Sequence, residues 1–333
     1  MSEITAKISW RGGIIRKRDL INEKFQCNII IRGSGSVLFF SLSFLPYNLP
    51  SGEYNISYHF DYFYTDLSSM FQNCFILTSI DLSETYFEPT NMTYIFDNCV
   101  CLTEINLSKI NTKEVYSMRG MFYNCKRLSS INLSNFNMGK VKDMVGMFYN
   151  CSSLSSITLS NIKNNNLTDM NSMFYKCTNI ISIDLSNFNP IDMGSMFADC
   201  FSLTSIKLSN FNTKNLTNMS CMFYKCESLT SINLSDFITD NVTNINSMFY
   251  YCKSLTSISL SNFNINKVTN MKKIFKSCES LTSLNITSFN CENINNTTAL
   301  EDMFVNCKSL KIKNIKLTDF KIRQQAIVDL LSN

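Results

Sequence analysis

The sequence predicts an α/β repeat solenoid, with short parallel strands along one side, short helical segments along the other, and a different structure closing each end. Three observations carry this. Ten of the fourteen cysteines form a ladder, Cys74, Cys99, Cys125, Cys151, Cys177, Cys200, Cys226, Cys252, Cys278 and Cys307, with gaps of 25, 26, 26, 26, 23, 26, 26, 26 and 29 residues. A Met-Phe pair stands just before most of them, as at Met121-Phe122, Met222-Phe223 and Met303-Phe304, with Ile95 and Ile274 replacing Met in two units. A Leu-rich stretch follows each cysteine. A constant period of this length marks chains in which each unit buries its apolar face only against its neighbours.

One unit serves as a specimen. Leu229, Ile232, Leu234 and Phe237 give L-x-x-I-x-L-x-x-F, the strand half of a leucine-rich repeat. Alternation turns Ile232 and Leu234 inward and leaves Ser231, Asn233 and Ser235 facing out. After a turn over Ser235 to Asn241, the apolar residues Val242, Ile245, Met248, Phe249 and Cys252 recur at spacings of three, three, one and three. That is the pattern of one buried helical face, so the second half is predicted as a short helix, α or 3₁₀, capped by Asn241 or Thr239. Nine such units stacked from about Met70 to Lys311 predict an arc whose concave face is a parallel sheet. The cysteines Cys125, Cys151, Cys177, Cys200, Cys226, Cys252 and Cys278 then form a core ladder.

Both ends depart from the period. Residues 1–63 are expected to be an N-terminal cap, with Asn28–Ile31 and Val37–Phe40 flanking Gly33-Ser34-Gly35-Ser36 as a hairpin. The aromatic run Tyr54, Tyr58, Phe60, Tyr62 and Phe63 leads from it into repeat phase. Residues 64–311 hold the repeats, and 312–333 a capping strand at Ile312, Ile315, Leu317 and Phe320 followed by an amphipathic helix over Ile322–Leu331. Between Cys177 and Cys200 three residues are missing and Pro190 stands at the turn, which predicts a local kink or loss of helix.

The run L-x-S-I-x-L-S-x-F-N-T-x-x-V-x-x-M-x-x-M-F-x-x-C, nearly complete from Leu203 to Cys226, resembles the BspA-like leucine-rich-repeat surface proteins over about three quarters of the chain. The Met-Phe-x-x-Cys step makes the likeness specific, since general leucine-rich repeats lack it. The resemblance implies a curved solenoid and adhesion to host proteins or to other cells.

Composition narrows the function. The net charge of +4, from 30 basic and 26 acidic residues, is dispersed along the chain. No basic stripe predicts a nucleic-acid partner, and the cluster Arg16-Lys17-Arg18 is followed at once by Asp19. No apolar run approaches the roughly 20 residues of a membrane-spanning helix, and no secretory leader is legible, so neither membrane insertion nor export is expected. The sole histidine, His59, lies in the cap and reads as structural. Outward acids lack acidic neighbours: Asp81 is beside Asn106, and Asp184 is beside Thr158 and Lys207. The chain is therefore not expected to be an enzyme, to bind a small-molecule substrate, or to need a cofactor. A line of single buried cysteines suits neither a zinc site nor disulfides, and with the off-ladder Cys27, Cys101, Cys221 and Cys291 it fits a reducing compartment. Sequons at Asn106, Asn132, Asn233 and Asn285, on the expected binding face, point the same way.

The function expected is that of a non-catalytic scaffold in the cytoplasm, associated with the cytoskeleton or another assembly, that binds a protein partner. The alternative is a cell-surface adhesin. Two surfaces are candidates. One is the hydroxylated strand face, Ser130, Asn132, Ser134, Ser156, Thr158, Ser160, Ser231, Asn233, Ser257, Ser259 and Ser261. The other is the ladder Tyr123, Tyr149, Tyr175, Tyr224 and Tyr250, which suits an interface and equally suits side-by-side packing.

Overall fold

The computed structural model describes residues 2–33, 36–40, 47–159, 166, 168–208, 210–292, 294 and 297–331. The chain forms two compact units, Met1–Lys163 and Asn164–Asn333.

The first unit opens with two long strands, β1 (Ser2–Ile15) and β4 (Tyr47–Phe60), paired antiparallel, with the hairpin β2 (Asn28–Gly33) and β3 (Ser36–Phe40) beyond β4. The predicted hairpin is present; Ser34 and Gly35 at its tip lie outside the described residues. Period-two alternation shows why β1 is a strand: Ile4, Ala6 and Ile8 are buried while Thr5, Lys7 and Ser9 are exposed. The other edge of β1 pairs antiparallel with β5 (Leu77–Asp81), which pairs parallel with β6 (Glu104–Asn106), so the sheet order is β3-β2-β4-β1-β5-β6. The first two coils of the solenoid thus continue the terminal sheet. The next two are β7 (Ser130–Asn132) and β8 (Ser156–Thr158), paired parallel and in register.

In the second unit, β9 (Thr168–Asp169) pairs with β11 (Pro190–Asp192), β10 (Ser182–Asp184) with β12 (Ser205–Lys207), β13 (Ser257–Ser259) with β14 (Ser283–Asn285), and β14 in turn with β15 (Ile315–Lys316), all parallel. Ser231–Asn233, predicted as a strand, has no strand pairing. Ser231 and Asn233 are nonetheless exposed on either side of half-buried Ile232.

The other half of each coil differs from the expected helix. In residues 118–124 the amides of Met118, Gly120, Phe122 and Asn124 donate to the carbonyls of Asp143, Val145, Met147 and Tyr149 on the next coil, at 2.9, 2.9, 2.8 and 2.8 Å. The amides between them turn back by three residues, Met121 to Met118, Tyr123 to Gly120 and Cys125 to Phe122. The segment is a chain of tight turns, closer to the 3₁₀ alternative than to an α-helix. Half its amides serve the neighbouring coil, and two residues per coil adopt positive φ, for instance Gly120 at 54° and Asn124 at 58°. A helix allows neither. Successive three-residue turns return Met118, Met121, Phe122 and Cys125 to the core, which is why their spacing imitates a helical face.

The core is a set of stacked ladders. Phe71, Phe96, Phe122 and Phe148 stack at 5.7, 5.6 and 5.4 Å in the first unit. Phe174, Phe197, Phe223, Phe249, Phe275 and Phe304 stack at 5.5 to 5.9 Å in the second. All are fully buried, which stabilises the fold by about 1.5–3 kcal/mol for each ring. The shortened coil absorbs its three missing residues at Pro190, whose buried ring takes the place that Leu216 and Val242 hold elsewhere. With no helix to break, the proline simply opens the short strand β11.

Each end supplies what a missing coil would have given. At the start, the Asn22 amide donates to the Met70 carbonyl at 2.8 Å and the Tyr58 ring sits edge-on to Phe71 at 5.5 Å. Tyr54, Tyr58 and Phe60 are buried as the cap reading expects, whereas Tyr62 and Phe63 are exposed. At the finish, α1 (Phe320–Leu331) buries Ile322 and Ala326. Its Asp329 accepts the Phe304 amide at 2.9 Å, and Lys321 donates to the carbonyls of Cys291 and Ile294 at 3.0 and 2.9 Å. Phe320, expected on the last strand, begins this helix and is exposed. Unlike an apolar strand residue, it has no sheet beneath it.

Candidate interaction surfaces

The repeated polar side chains are mostly engaged in holding coil to coil. Most ladder thiols donate to a phenylalanine carbonyl of the preceding coil: Cys125 to Phe96 at 3.2 Å, Cys151 to Phe122 at 3.0 Å, Cys200 to Phe174 at 3.1 Å, Cys226 to Phe197 at 3.2 Å, Cys252 to Phe223 at 3.1 Å and Cys278 to Phe249 at 3.0 Å. These sulfurs and that of Cys177 are fully buried, and all fourteen cysteines are free thiols. Burial pushes the thiols of Cys125, Cys200, Cys226, Cys252 and Cys278 far above the ordinary 9.0, which suppresses the thiolate that nucleophilic or metal chemistry would need. Among the described residues no group of three or more His, Cys, Asp or Glu side chains could hold a metal ion.

The strand-face asparagines bond within their own coil. Asn132 and Asn233, predicted on the strand face, are exposed, but their side-chain oxygens accept the Ser134 and Ser235 amides at 2.9 and 3.0 Å. These Asx turns set the corner at the end of those two segments. Ser130, Ser156, Thr158, Ser231, Ser257 and Ser259 are exposed as predicted; Ser160 lies outside the described residues. The Ser259 hydroxyl is 3.1 Å from that of Ser261. In each unit the face carries small hydroxyls, and in the second Asp184 and Lys207 are paired at 2.7 Å.

The tyrosines of the second candidate surface are all half-buried. Tyr123 and Tyr149 stack face to face at 4.3 Å, with Tyr94 edge-on to Tyr123 at 6.5 Å. Burial, and after it the neighbouring Tyr149, pushes the Tyr123 phenol up to about 12. In the second unit Tyr224 and Tyr250 are 5.1 Å apart and tilted, and lysines cover the rings: Lys176 lies over Tyr175, Lys225 over Tyr224 and Lys253 over Tyr251. Neighbouring rings of the ladder pack on one another, and each of its five tyrosines stays partly exposed.

The outward face of the first sheet holds a polar cleft of about 660 Å³, lined among others by Lys7, Arg32, Ser57, Asp81, Glu104 and Asn106. Arg32 donates to buried Ser57 at 3.1 Å and Asn106 to Asp81 at 3.1 Å. His59 is opposite Glu3 in the β1–β4 register, with 3.9 Å between Nε2 and the carboxylate.

Sequence reasoning missed one group. Tyr62, Phe63, Tyr86 and Tyr116 are 61, 76, 70 and 51 % exposed on the first coils. The signal was available, because Tyr86 and Tyr116 stand where most other coils carry Asn, Thr or Lys.

No curated protein matches the chain. Among solved structures it is similar to a leucine-rich cell surface protein from Faecalibacterium prausnitzii A2-165, at 18% identity and a TM-score of 0.36, over 78% of either chain. It is also similar to the proteins of the TLR13–ssRNA13 complex (16% identity, TM-score 0.31, 71% of this chain and 36% of that one) and of the Drosophila Toll–Spatzle complex (16%, 0.30, 68% and 37%). The chain therefore spans little more than a third of those last two. Residues 65–188 and 191–318, which together make up most of the chain and break at Pro190, match the family described as Mycoplasma protein of unknown function, DUF285, and the protein belongs to that family.

Proposed function

We infer that the protein is a non-catalytic scaffold that binds a protein partner through its repetitive surface. One observation carries the reading: thiols and carboxamides with chemical potential are turned into coil-to-coil bonds, while five coils keep a half-buried tyrosine at the same outer position. Tyrosines offer contact area at low entropic cost, and a regular spacing lets weak contacts add. The partner is a protein or protein assembly, not a nucleic acid, a lipid bilayer or a small substrate. The thiol ladder favours the cytoplasm, since each S–H···O=C bond exists only while the sulfur keeps its proton. Among the described residues no helix is long and apolar enough to cross a membrane. The adhesin reading rests on the sequence resemblance to BspA-like surface proteins.

Lysine-directed crosslinking of the native protein in intact cells, read by mass spectrometry, tests the binding. Links from the repeats to a second protein are expected, and purely internal links would overturn the reading. Shaving the same cells with external protease separates the two locations, since a cytoplasmic scaffold survives and a surface adhesin is cut.

A further inference from the structure

We propose that the polar cleft on the outward face of the first sheet takes an extended polypeptide segment of the partner, one with an acidic and a basic side chain about three to six residues apart; this rests on the scaffold reading above. The cleft, about 660 Å³, runs across five strands, β2, β4, β1, β5 and β6, and their register fixes the order of its side chains. Arg32 on β2 is level with Asn55 on β4, Asn55 with Lys7 on β1, Lys7 with Ser79 on β5, and Ser79 with Glu104 on β6. In the row beside it Thr5 is level with Asp81, and Asp81 with Asn106. Both cations of the cleft therefore lie on its half towards β2, and both carboxylates on its half towards β6.

The four charges do not answer one another. Opposite charges on neighbouring strands ordinarily pair, yet Lys7 and Glu104 are exposed and, among the described residues, neither has an ion-pair partner. Ser79 stands between them. The other two are held by neutral groups: Arg32 donates to the buried Ser57 hydroxyl at 3.1 Å, and Asp81 accepts the Ser83 amide at 2.7 Å and the Asn106 carboxamide at 3.1 Å. Nearby ion pairs are made outside the cleft, Glu3 facing His59 at 3.9 Å and Lys109 joined to Glu84 at 2.9 Å. Glu53 and Arg11, the next charges along β4 and β1, are not part of its lining. The cleft is thus neutral in sum and polarised along its length. A segment of one sign gains at one half what it loses at the other, whereas a segment carrying both signs gains at both.

Spacing selects a polypeptide. Strands lie about 4.8 Å apart, which separates the backbones of Lys7 and Glu104 by about 10 Å and those of Arg32 and Glu104 by about 19 Å. A free amino acid is too short to reach from Arg32 to Glu104. An extended chain, rising about 3.3 Å per residue, covers the two distances in about three and about six residues. Asn55, exposed in the middle of the row, has a carboxamide that can both donate to a peptide group and accept from one, and Thr5 and Ser79 add hydroxyls. Among the described residues no aromatic side chain lines the cleft, so recognition there is by charge pattern.

The test changes the sign of one half at a time. The wild-type chain, Lys7→Glu and Glu104→Lys are panned at low salt against a phage-displayed library of random linear peptides, with thermal unfolding of all three. The wild type is expected to enrich peptides that pair Asp or Glu with Lys or Arg about three to six residues away. A selected peptide should bind either variant about tenfold more weakly, and should lose affinity for the wild type as salt rises. Glu104→Lys should turn the preference to purely acidic peptides and Lys7→Glu to purely basic ones, with all three chains melting together because neither side chain has a partner to lose. A reversal of sign is a result that misfolding cannot imitate. Enrichment by the wild type of peptides with one sign or none, or the same preference in all three chains, would overturn the cleft and leave the scaffold reading standing. If the wild type enriches no peptide while crosslinks to a second protein are found in cells, the cleft alone is overturned; if the crosslinks are also purely internal, both readings are.

Discussion

The two units solve one backbone problem with different side chains. The residue before each ladder cysteine has positive φ throughout: 64, 60, 58 and 57° at Asn73, Asn98, Asn124 and Asn150, and 59, 60, 58, 65, 61 and 62° at Lys176, Asp199, Lys225, Tyr251, Ser277 and Asn306, the one asparagine among the second unit's six. In the first unit the position is always asparagine, a residue that visits this region readily, and the carboxamides bond one to the next at 3.0, 2.8 and 2.7 Å. In the second unit Lys225 reaches Asp199 only at 3.9 Å and lies over Tyr224. The strained turn therefore belongs to the coil, while the side chain on it is free to be neutral and structural or charged and displayed.

If only the decoration differs, the cores should respond alike, and this comparison carries the largest effect. Phe122→Ala in the first unit and Phe223→Ala in the second should each cost about 3–5 kcal/mol, read from urea unfolding, because each opens a cavity in a continuous stack. A cost confined to one unit would break the comparison. Cys125→Ser and Cys226→Ser should each cost about 1–3 kcal/mol, by burying a hydroxyl in place of a thiol, with no change in metal content by elemental analysis. The turn position should then separate the units. Asn124→Ala loses its bonds to Asn98 and Asn150 and leaves alanine at positive φ, for about 1–2 kcal/mol, whereas Lys225→Asn should gain up to about 1 kcal/mol.

Acid gives the smallest and most diagnostic contrast. Burial raises the Asp329 carboxyl above its ordinary 3.8, partly offset by the Phe304 amide and Gln325. A raised carboxyl contributes its stability fully below 3.8 and loses it as pH climbs through the folded value. Burial also opposes ionisation of Asp81, but hydrogen bonds from Ser83 and Asn106, together with the Lys109 charge, outweigh it and hold the group below 3.8. Its contribution is present above 3.8 and disappears as pH falls through the lower folded value. Measured by urea midpoint against pH, Asp329→Asn should help at neutral pH and Asp81→Asn should hurt, and both differences should fade in strong acid.

Much of the coil was legible in the sequence because periodicity reports burial directly. The cysteine, methionine and phenylalanine ladders face the core as their spacing predicts, and β7, β8, β13 and β14 fall on the Ser-Ile or Ser-Leu steps read as strands. The turn half was misread because Met118, Met121, Phe122 and Cys125 keep helical spacing on a non-helical backbone. Its distinguishing mark, alternate amides bonding across coils, leaves no apolar pattern. The Asn before Cys74, Cys99, Cys125 and Cys151 carried the missing clue, since after glycine asparagine is the residue most at ease at positive φ. Of the two candidate surfaces, the strand-face residues Ser130, Ser156, Ser231 and Ser257 are exposed and the five tyrosines are half-buried. The exposed aromatic patch escaped notice because a repeat search rewards agreement, and these residues are visible only as departures from it.

The most direct test of the claim that repeated thiols are structural is alkylation of the native protein by iodoacetamide, followed residue by residue in mass spectrometry. Cys125, Cys151, Cys200, Cys226, Cys252 and Cys278 should stay unlabelled in both units until urea unfolds the chain, with half-buried Cys101 labelled well before them. Ready labelling of ladder cysteines in the folded protein, or their protection by a bound metal that chelation removes, would contradict the account.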